Sequence, residues 1–315
     1  DFGGTWYWNR YPGAMCDVES YVYLPLLEEL DYVPEQKYAT AAEILAHSRA
    51  IAEHHDLYDN ACLQTEVTAL DWSAEDQRWI VSTTRGDRMR ARFVAMANGP
   101  LHRPKLPGID GINDFAGHTF HTSRWDYEYT GGGPEGDLTK LAGKRVGIIG
   151  TGATAVQCVP HLGRGAEQLY VFQRTPSSID IRDDWETDPE WAAKLEPGWQ
   201  AKRRAKIIEK QRAQAERSKS LKGGITREEK IRRQENANID AMMRIHKRID
   251  EVVEDPETAE ALKPWYMIMC KRPCFHNDYL PAYNLPNVHL VDTQGKGITE
   301  IGPKGPIFEG TEYEV

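Results

Sequence analysis

The chain has 315 residues and is 40% hydrophobic, enough for two domains with real cores. Its formal net charge of −9 and pI near 5.6 offer nucleic acid no overall basic balance. No apolar run is long enough to span a bilayer, no secretory leader is expected, and five scattered cysteines read as reduced thiols of a cytoplasmic protein.

Residues 1–24 are rich in Gly, Trp and Tyr. Residues 38–55 read as an amphipathic helix capped by Thr40. Three strand-like runs follow, at residues 63–71, 78–84 and 87–97. Arg85-Gly86-Asp87 turns the second into the third, giving a meander. Overlapping the end of that run, residues 93–99 read as a small-residue strand that stops at Gly99. Pro104, Pro107 and Gly108 then mark a linker. An aromatic and histidine-bearing run, Phe115-Ala-Gly117-His-Thr-Phe-His121-Thr-Ser-Arg-Trp125, leads toward the next domain.

Residues 144–149 are apolar and β-prone, as a buried parallel strand requires. They enter the turn Gly150-Thr151-Gly152-Ala153-Thr154-Ala155. Gly150 permits the tight bend, Gly152 lets the backbone approach a pyrophosphate, and Ala155 is small enough for close helix–strand packing. The helix from Val156 to Leu162 presents its N-terminal N–H groups to an anion. These turn residues, with Gln157 one turn on, are the candidate dinucleotide site. A strand at residues 168–173 follows and ends in Gln173-Arg174-Thr175. An acidic residue there would accept a ribose 2′-OH, whereas a guanidinium and a hydroxyl suit a 2′-phosphate, so NADP is favoured over NAD.

From about residue 185 to 263 charged helix formers dominate, and Ile239, Met242, Met243, His246, Ile249 and Val253 recur at helical spacing. This reads as a helical insertion. The basic stretch 202–233 is interleaved with glutamates and reads as a solvated face. Cys270 and Cys274 are separated by three residues, which fits neither a redox pair nor a zinc knuckle, and no metal site is expected. Strand character returns at residues 288–292 and 307–315.

The run Phe115, Gly117, His121, Trp125, followed by Asp126, resembles the fingerprint of type I Baeyer–Villiger monooxygenases within the flavin-containing monooxygenase superfamily. Two further stretches are similar to the same family: residues 3–17, with Gly3, Gly4, Trp6, Tyr11, Pro12, Gly13 and Asp17, and Lys271-Arg272-Pro273. The resemblance implies an α/β fold with two Rossmann-like dinucleotide-binding domains. The FAD domain is incomplete, because the family's N-terminal glycine turn and C-terminal part are not in this sequence. Residues 1–114 would be the partial FAD domain and 115–140 the fingerprint linker. Residues 141–300 would be the NADP domain carrying the insertion, and 301–315 the start of a return to the FAD domain.

The implied activity is insertion of one oxygen atom of O2 beside a ketone carbonyl, through a flavin C4a-peroxide, to give an ester or lactone. Nitrogen- or sulfur-oxygenating relatives and an inactive NADP-binding fragment are the alternatives. By the same resemblance, Arg272 is the catalytic cation and Asp17 the carboxylate that orients it and contacts the nicotinamide region. Lys271 joins Arg174 and Thr175 around the 2′-phosphate. Trp6, Trp8 and Tyr23 border the flavin, Thr5 bonds its phosphate or ring edge, and Val67 gives the adenine side a backbone contact. His121 is structural, and Ala97-Asn98-Gly99 takes the place of a hinge.

Overall fold

The computed structural model describes residues 1–220, 226–267 and 269–315. Residues 221–225 of the basic stretch therefore lie outside the described residues. In chain order the helices are α1 (Thr5–Trp8), α2 (Ser20–Tyr23), α3 (Ala41–His54), α4 (Tyr127–Thr130), α5 (Ala153–Gly165), α6 (Pro189–Ala192), α7 (Trp199–Ser220), α8 (Arg227–Val252) and α9 (Pro256–Ala261). The strands are β1 (Val67–Ser73), β2 (Arg78–Thr83), β3 (Arg88–Ala91), β4 (Arg145–Ile149), β5 (Gln168–Gln173), β6 (Ile179–Asp180), β7 (Cys274–Phe275), β8 (Val288–Asp292), β9 (Glu300–Ile301), β10 (Pro306–Phe308) and β11 (Thr311–Glu312).

A parallel sheet in the order β4-β5-β8 carries the nucleotide-type half. Its crossovers run through α5 between β4 and β5, and through a longer, mainly helical segment between β5 and β8. Helix α5 buries Val156, Val159 and Leu162 with Leu169 and Val171 of β5 in one core. The C-terminal end of α8 joins this core through Ile245, Ile249 and Val253, which fixes the insertion to the domain. Only that end is buried. Ile239 and Met243, part of the apolar stripe expected from the sequence, are exposed because no element covers the outer turns of α8 among the described residues.

Helix α3 begins where its cap chemistry says it should. Thr40 Oγ1 accepts from the Glu43 N–H at 3.1 Å. The meander β1-β2-β3 is antiparallel throughout. The expected strand at 87–97 is shorter, since only Arg88–Ala91 pairs. Residues 93–99 have no ladder partner among the described residues, and Phe93 and Met96 stand 86% and 75% exposed. Strand-like composition does not make a strand without an adjacent edge to bond.

The first forty residues do not stay with the meander. The Gly13 N–H donates to the Pro134 carbonyl, and the Lys37 N–H donates to that of Trp185. Gln36 forms an antiparallel bridge with Glu186, and Lys37 Nζ lies 3.8 Å over the Trp185 ring. The segment following β6 is thus zipped onto the N-terminal segment.

Between β7 and β8, His276 is half-buried, and its Nδ1 accepts from the N–H groups of Asp278 and Tyr279 at 3.1 Å each. Burial pushes its pKa down from 6.5 to about 4, with Asp278 opposing and Arg182 and His161 adding to the shift. The neutral ring is the folded form, so the unfolded chain binds the proton first as pH falls. Its contribution to stability is complete above 6.5 and lost progressively toward about 4. The melting temperature of the full-length protein should fall across that window. His276→Asn should flatten the slope; an unchanged slope in that variant would assign the effect elsewhere.

Candidate functional site

The turn between β4 and α5 is the first component. Gly150 takes φ 104° and donates its N–H to the Phe172 carbonyl at 2.9 Å, which ties the bend to β5. Thr151 Oγ1 donates to the Thr175 carbonyl at 3.0 Å, and Ser177 Oγ donates to the Thr151 carbonyl. The loop after β5 is therefore stitched across the turn. Gly152 is the N-cap of α5 with an ordinary φ of −76°. A Cβ built there would meet no atom within 4 Å. Neither backbone strain nor protein packing demands glycine, so the space is available to a ligand. Ala153 and Thr154 open the helix, and Ala155 is buried beneath it.

Gln157 is not free to contact a ligand. Its Oε1 accepts from the Met15 N–H at 2.8 Å, and its Nε2 donates to the Ala153 carbonyl at 2.9 Å and to the Tyr11 hydroxyl at 3.3 Å. The side chain is a buried clamp holding residues 11–15 on α5.

The second component is cationic. Lys271 Nζ donates to Thr175 Oγ1 and lies 4.9 Å over the Tyr266 ring. Arg174 is exposed beside it. Burial pushes the Lys271 pKa down, and the like charge of Arg174 pushes it further. No carboxylate pairs with either cation among the described residues. Two adjacent uncompensated cations and a hydroxyl suit a phosphate group. Gln173, at the position where an NAD fold carries its acid, is fully buried and donates to the Ala261 carbonyl and the Asp292 carboxylate.

The third component surrounds Cys274. Its thiol is pushed up to about 11, chiefly by burial; Asp17 adds to the shift and Arg272 opposes it. Both charges thus lie within electrostatic reach of one buried sulfur. The carboxylate's ion-pair partner differs from expectation. Asp17 Oδ1 accepts from Arg182 Nη1 at 3.2 Å, and not from Arg272, because a more deeply buried guanidinium already sits against it. Arg272 is exposed and makes no ion pair among the described residues. Arg182 went unnoticed in the sequence because it sits among Asp180, Asp183 and Asp184, a pattern that reads as a solvated surface.

Among the aromatic candidates, Trp6 Nε1 donates to the Tyr23 hydroxyl at 3.0 Å, the two rings meeting edge to face. Thr5 opens α1 beside them. Trp8 is engaged elsewhere, under the Arg124 guanidinium at 4.0 Å. Arg124 also donates to the His102 carbonyl, so Trp8 belongs to a linker contact. Val67 heads β1, half exposed and paired with Thr83, and no hydrogen bond ties it to the aromatic pair.

Within the linker, His121 Nδ1 accepts from the Ser123 N–H at 3.1 Å and caps the short 3-10 turn Thr122–Arg124. Burial and the Arg124 charge push its pKa down, which keeps that nitrogen an acceptor. His118 bonds Asp126 at 2.9 Å and stacks on Tyr129 at 4.0 Å. Asp126 in turn caps α4 through the Tyr129 N–H.

Residues 17–189 match the family model described as flavin-binding monooxygenase-like. The chain belongs to that family. Flavin-binding monooxygenase-like relatives include a neopentalenolactone D synthase of Streptomyces avermitilis, 52% identical over all of this chain and 56% of its own length. Baeyer-Villiger monooxygenase ATR8 of Stachybotrys chlorohalonatus is 50% identical over all of this chain and 53% of its own. A solved polycyclic ketone monooxygenase of Thermothelomyces thermophila superposes with a TM-score of 0.86 at 40% identity, covering all of this chain and 56% of that one. An OTEMO structure in complex with FAD and NADP gives 0.82 at 29% identity, over all of this chain and 64% of that one. The chain therefore spans about half the length of the curated relatives it matches. Its fold is the α/β arrangement of this flavin-binding monooxygenase-like family. No helix among the described residues is long and apolar enough to cross a membrane, and none of their His, Cys, Asp or Glu groups forms a candidate metal cluster.

The two kinds of glycine here should separate experimentally. At Gly13 φ is +77°, and a Cβ would sit 2.7 Å from His161 Nε2 and 2.8 Å from the Gln157 carbonyl oxygen. Gly13→Ala should destabilise the full-length protein by about 1–3 kcal/mol. Gly152→Ala should leave the melting temperature unchanged. Equal melting-temperature losses in the two variants would undo the distinction.

Proposed function

We propose that the protein containing this chain is an FAD- and NADPH-dependent Baeyer–Villiger monooxygenase. It converts a ketone, O2, NADPH and a proton to an ester or lactone, water and NADP+. The domain reading that accompanies this is a partial FAD domain at 1–114, the linker at 115–140 and the NADP domain at 141–300, with a return at 301–315.

One observation carries the cofactor half. An open glycine turn lies at the N-terminus of α5, and the loop stitched across it, carrying Thr175, leads to two cations without a carboxylate partner among the described residues. NADP fits this set: Gly150 through Ala155 would take its pyrophosphate, and Arg174, Thr175 and Lys271 its 2′-phosphate. FAD fits the aromatic pair of half-buried Trp6 and exposed Tyr23, with Thr5 as a hydroxyl donor and Val67 as a backbone contact. When bound and reduced by NADPH, FAD supplies the activation of O2.

This chain's own contribution is positioning and charge. Arg272 brings a guanidinium, a fixed cation that would stabilise negative charge developing on oxygen. Asp17 lies within reach of the same buried thiol and would orient that guanidinium. Lys271 would gain from an anion what burial and Arg174 take from it. Relatives whose names carry the Baeyer-Villiger reaction support ketone oxygenation over nitrogen or sulfur oxygenation.

Full-length Arg272→Ala should still consume NADPH but lose ester formation by at least about a hundredfold. Ester formation at the unmodified rate would refute the assigned role. Arg174→Ala should weaken NADPH by about tenfold or more while leaving NADH nearly unaffected, checked by steady-state titration of both cofactors. Equal losses would remove the 2′-phosphate assignment.

A further inference from the structure

We propose that Arg182 is the positioning residue for Asp17, holding one carboxylate oxygen so that the other remains available to the Arg272 side of the site. This rests on the reading in which Asp17 and Arg272 serve the reaction.

The geometry is specific. The Arg182 side chain is only 7% exposed. Its Nη2 donates to the Cys16 carbonyl at 2.6 Å, and its Nη1 donates to Asp17 Oδ1 at 3.2 Å. One planar fork therefore grips the backbone just before Asp17 and the carboxylate itself. Asp17 Oδ2 makes no hydrogen bond or ion pair among the described residues. The guanidinium lies 4.8 Å from the Tyr38 ring, and Asp184 Oδ2 stands 3.7 Å from Nε.

The residue is also fixed from behind. Its backbone N–H donates to Asn277 Oδ1 and its carbonyl accepts from Asn277 Nδ2, both at 3.0 Å. Asn277 lies just beyond β7, in the segment that begins with Lys271 and Arg272. The same short stretch thus carries the Arg272 cation and the clamp on the residue that sets its carboxylate. Nε is buried without a hydrogen bond, so the desolvated guanidinium is compensated by the Asp17 and Asp184 carboxylates and the Cys16 carbonyl. A lysine could not reproduce the grip, since an ammonium offers no planar pair of donors to two acceptors.

The test is a double-mutant cycle on the full-length, FAD-loaded protein, read by equilibrium titration of NADP+ and by ester formed per NADPH consumed. Arg182→Gln should weaken NADP+ by about tenfold and lower kcat for the ketone more than it raises KM. In an Asp17→Asn background the same substitution should cost less than about twofold, because the group it acts through is gone. Arg182→Lys should recover only part of the loss, and it replaces Arg182→Gln in the cycle if the latter does not fold. Equal NADP+ losses in both backgrounds would overturn the proposal and leave Arg182 a purely structural residue. If the unmodified protein formed no ester, the functional reading would fall, and the NADP+ cycle would still decide Arg182.

Discussion

Everything at this site depends on a buried polar seam between the N-terminal segment and the nucleotide-type half. Gln157 fastens residues 11–15 to α5, and Arg182 fastens residues 16–17 to the segment after β6. Both side chains are buried, so each hydrogen bond broken there would strand a desolvated group at about 1–3 kcal/mol. Hydrophobic contact would hold the two parts together in many registers. A seam of matched donors and acceptors holds them in one, which a reaction spread over two cofactors requires.

The seam explains why the segment order along the chain is not the order in space. Residues 14–41 hydrogen-bond with one another through Cys16–Ala39 and Ala41–Ala14 backbone contacts, and Leu24, Leu27 and Ala39 form a small core with Ile44 of α3. The same segment then bonds to residues 183–187. Nucleotide turn, linker and N-terminal segment meet around α5, where Tyr11, Trp125, Tyr127 and Tyr129 lie against the main core. A movement of the linker would reach both the Trp8–Arg124 contact and the Tyr127–Arg10 hydrogen bond.

Charge is distributed against the chain's average. The net charge is −9, yet Arg174, Lys271 and Arg272 have no carboxylate partner among the described residues. Some cations elsewhere are neutralised, as Lys263 is by Asp250 and Glu260, which together hold its pKa up. What sets Arg174 and Lys271 apart is proximity: two like charges grouped with the Thr175 hydroxyl give an acidic molecule a local anion-binding group.

Local rules were legible in the sequence. The meander, the Thr40 cap, the β4 turn into α5 and the Arg174–Thr175–Lys271 grouping are set by patterns within a few residues or by a motif, and backbone chemistry at those positions leaves few alternatives. What lay beyond reach were choices between equivalent groups. Asp17 had several arginines to pair with, and only folding put Arg182 against it; Gln157 sat in a ligand motif yet was claimed by Met15 and Tyr11; residues 93–99 had strand composition and, among the described residues, no edge to join. A sequence states which donors, acceptors and apolar faces exist. Tertiary structure decides which of them meet, because burial makes every unmatched polar group costly and the winning arrangement is settled over the whole chain at once.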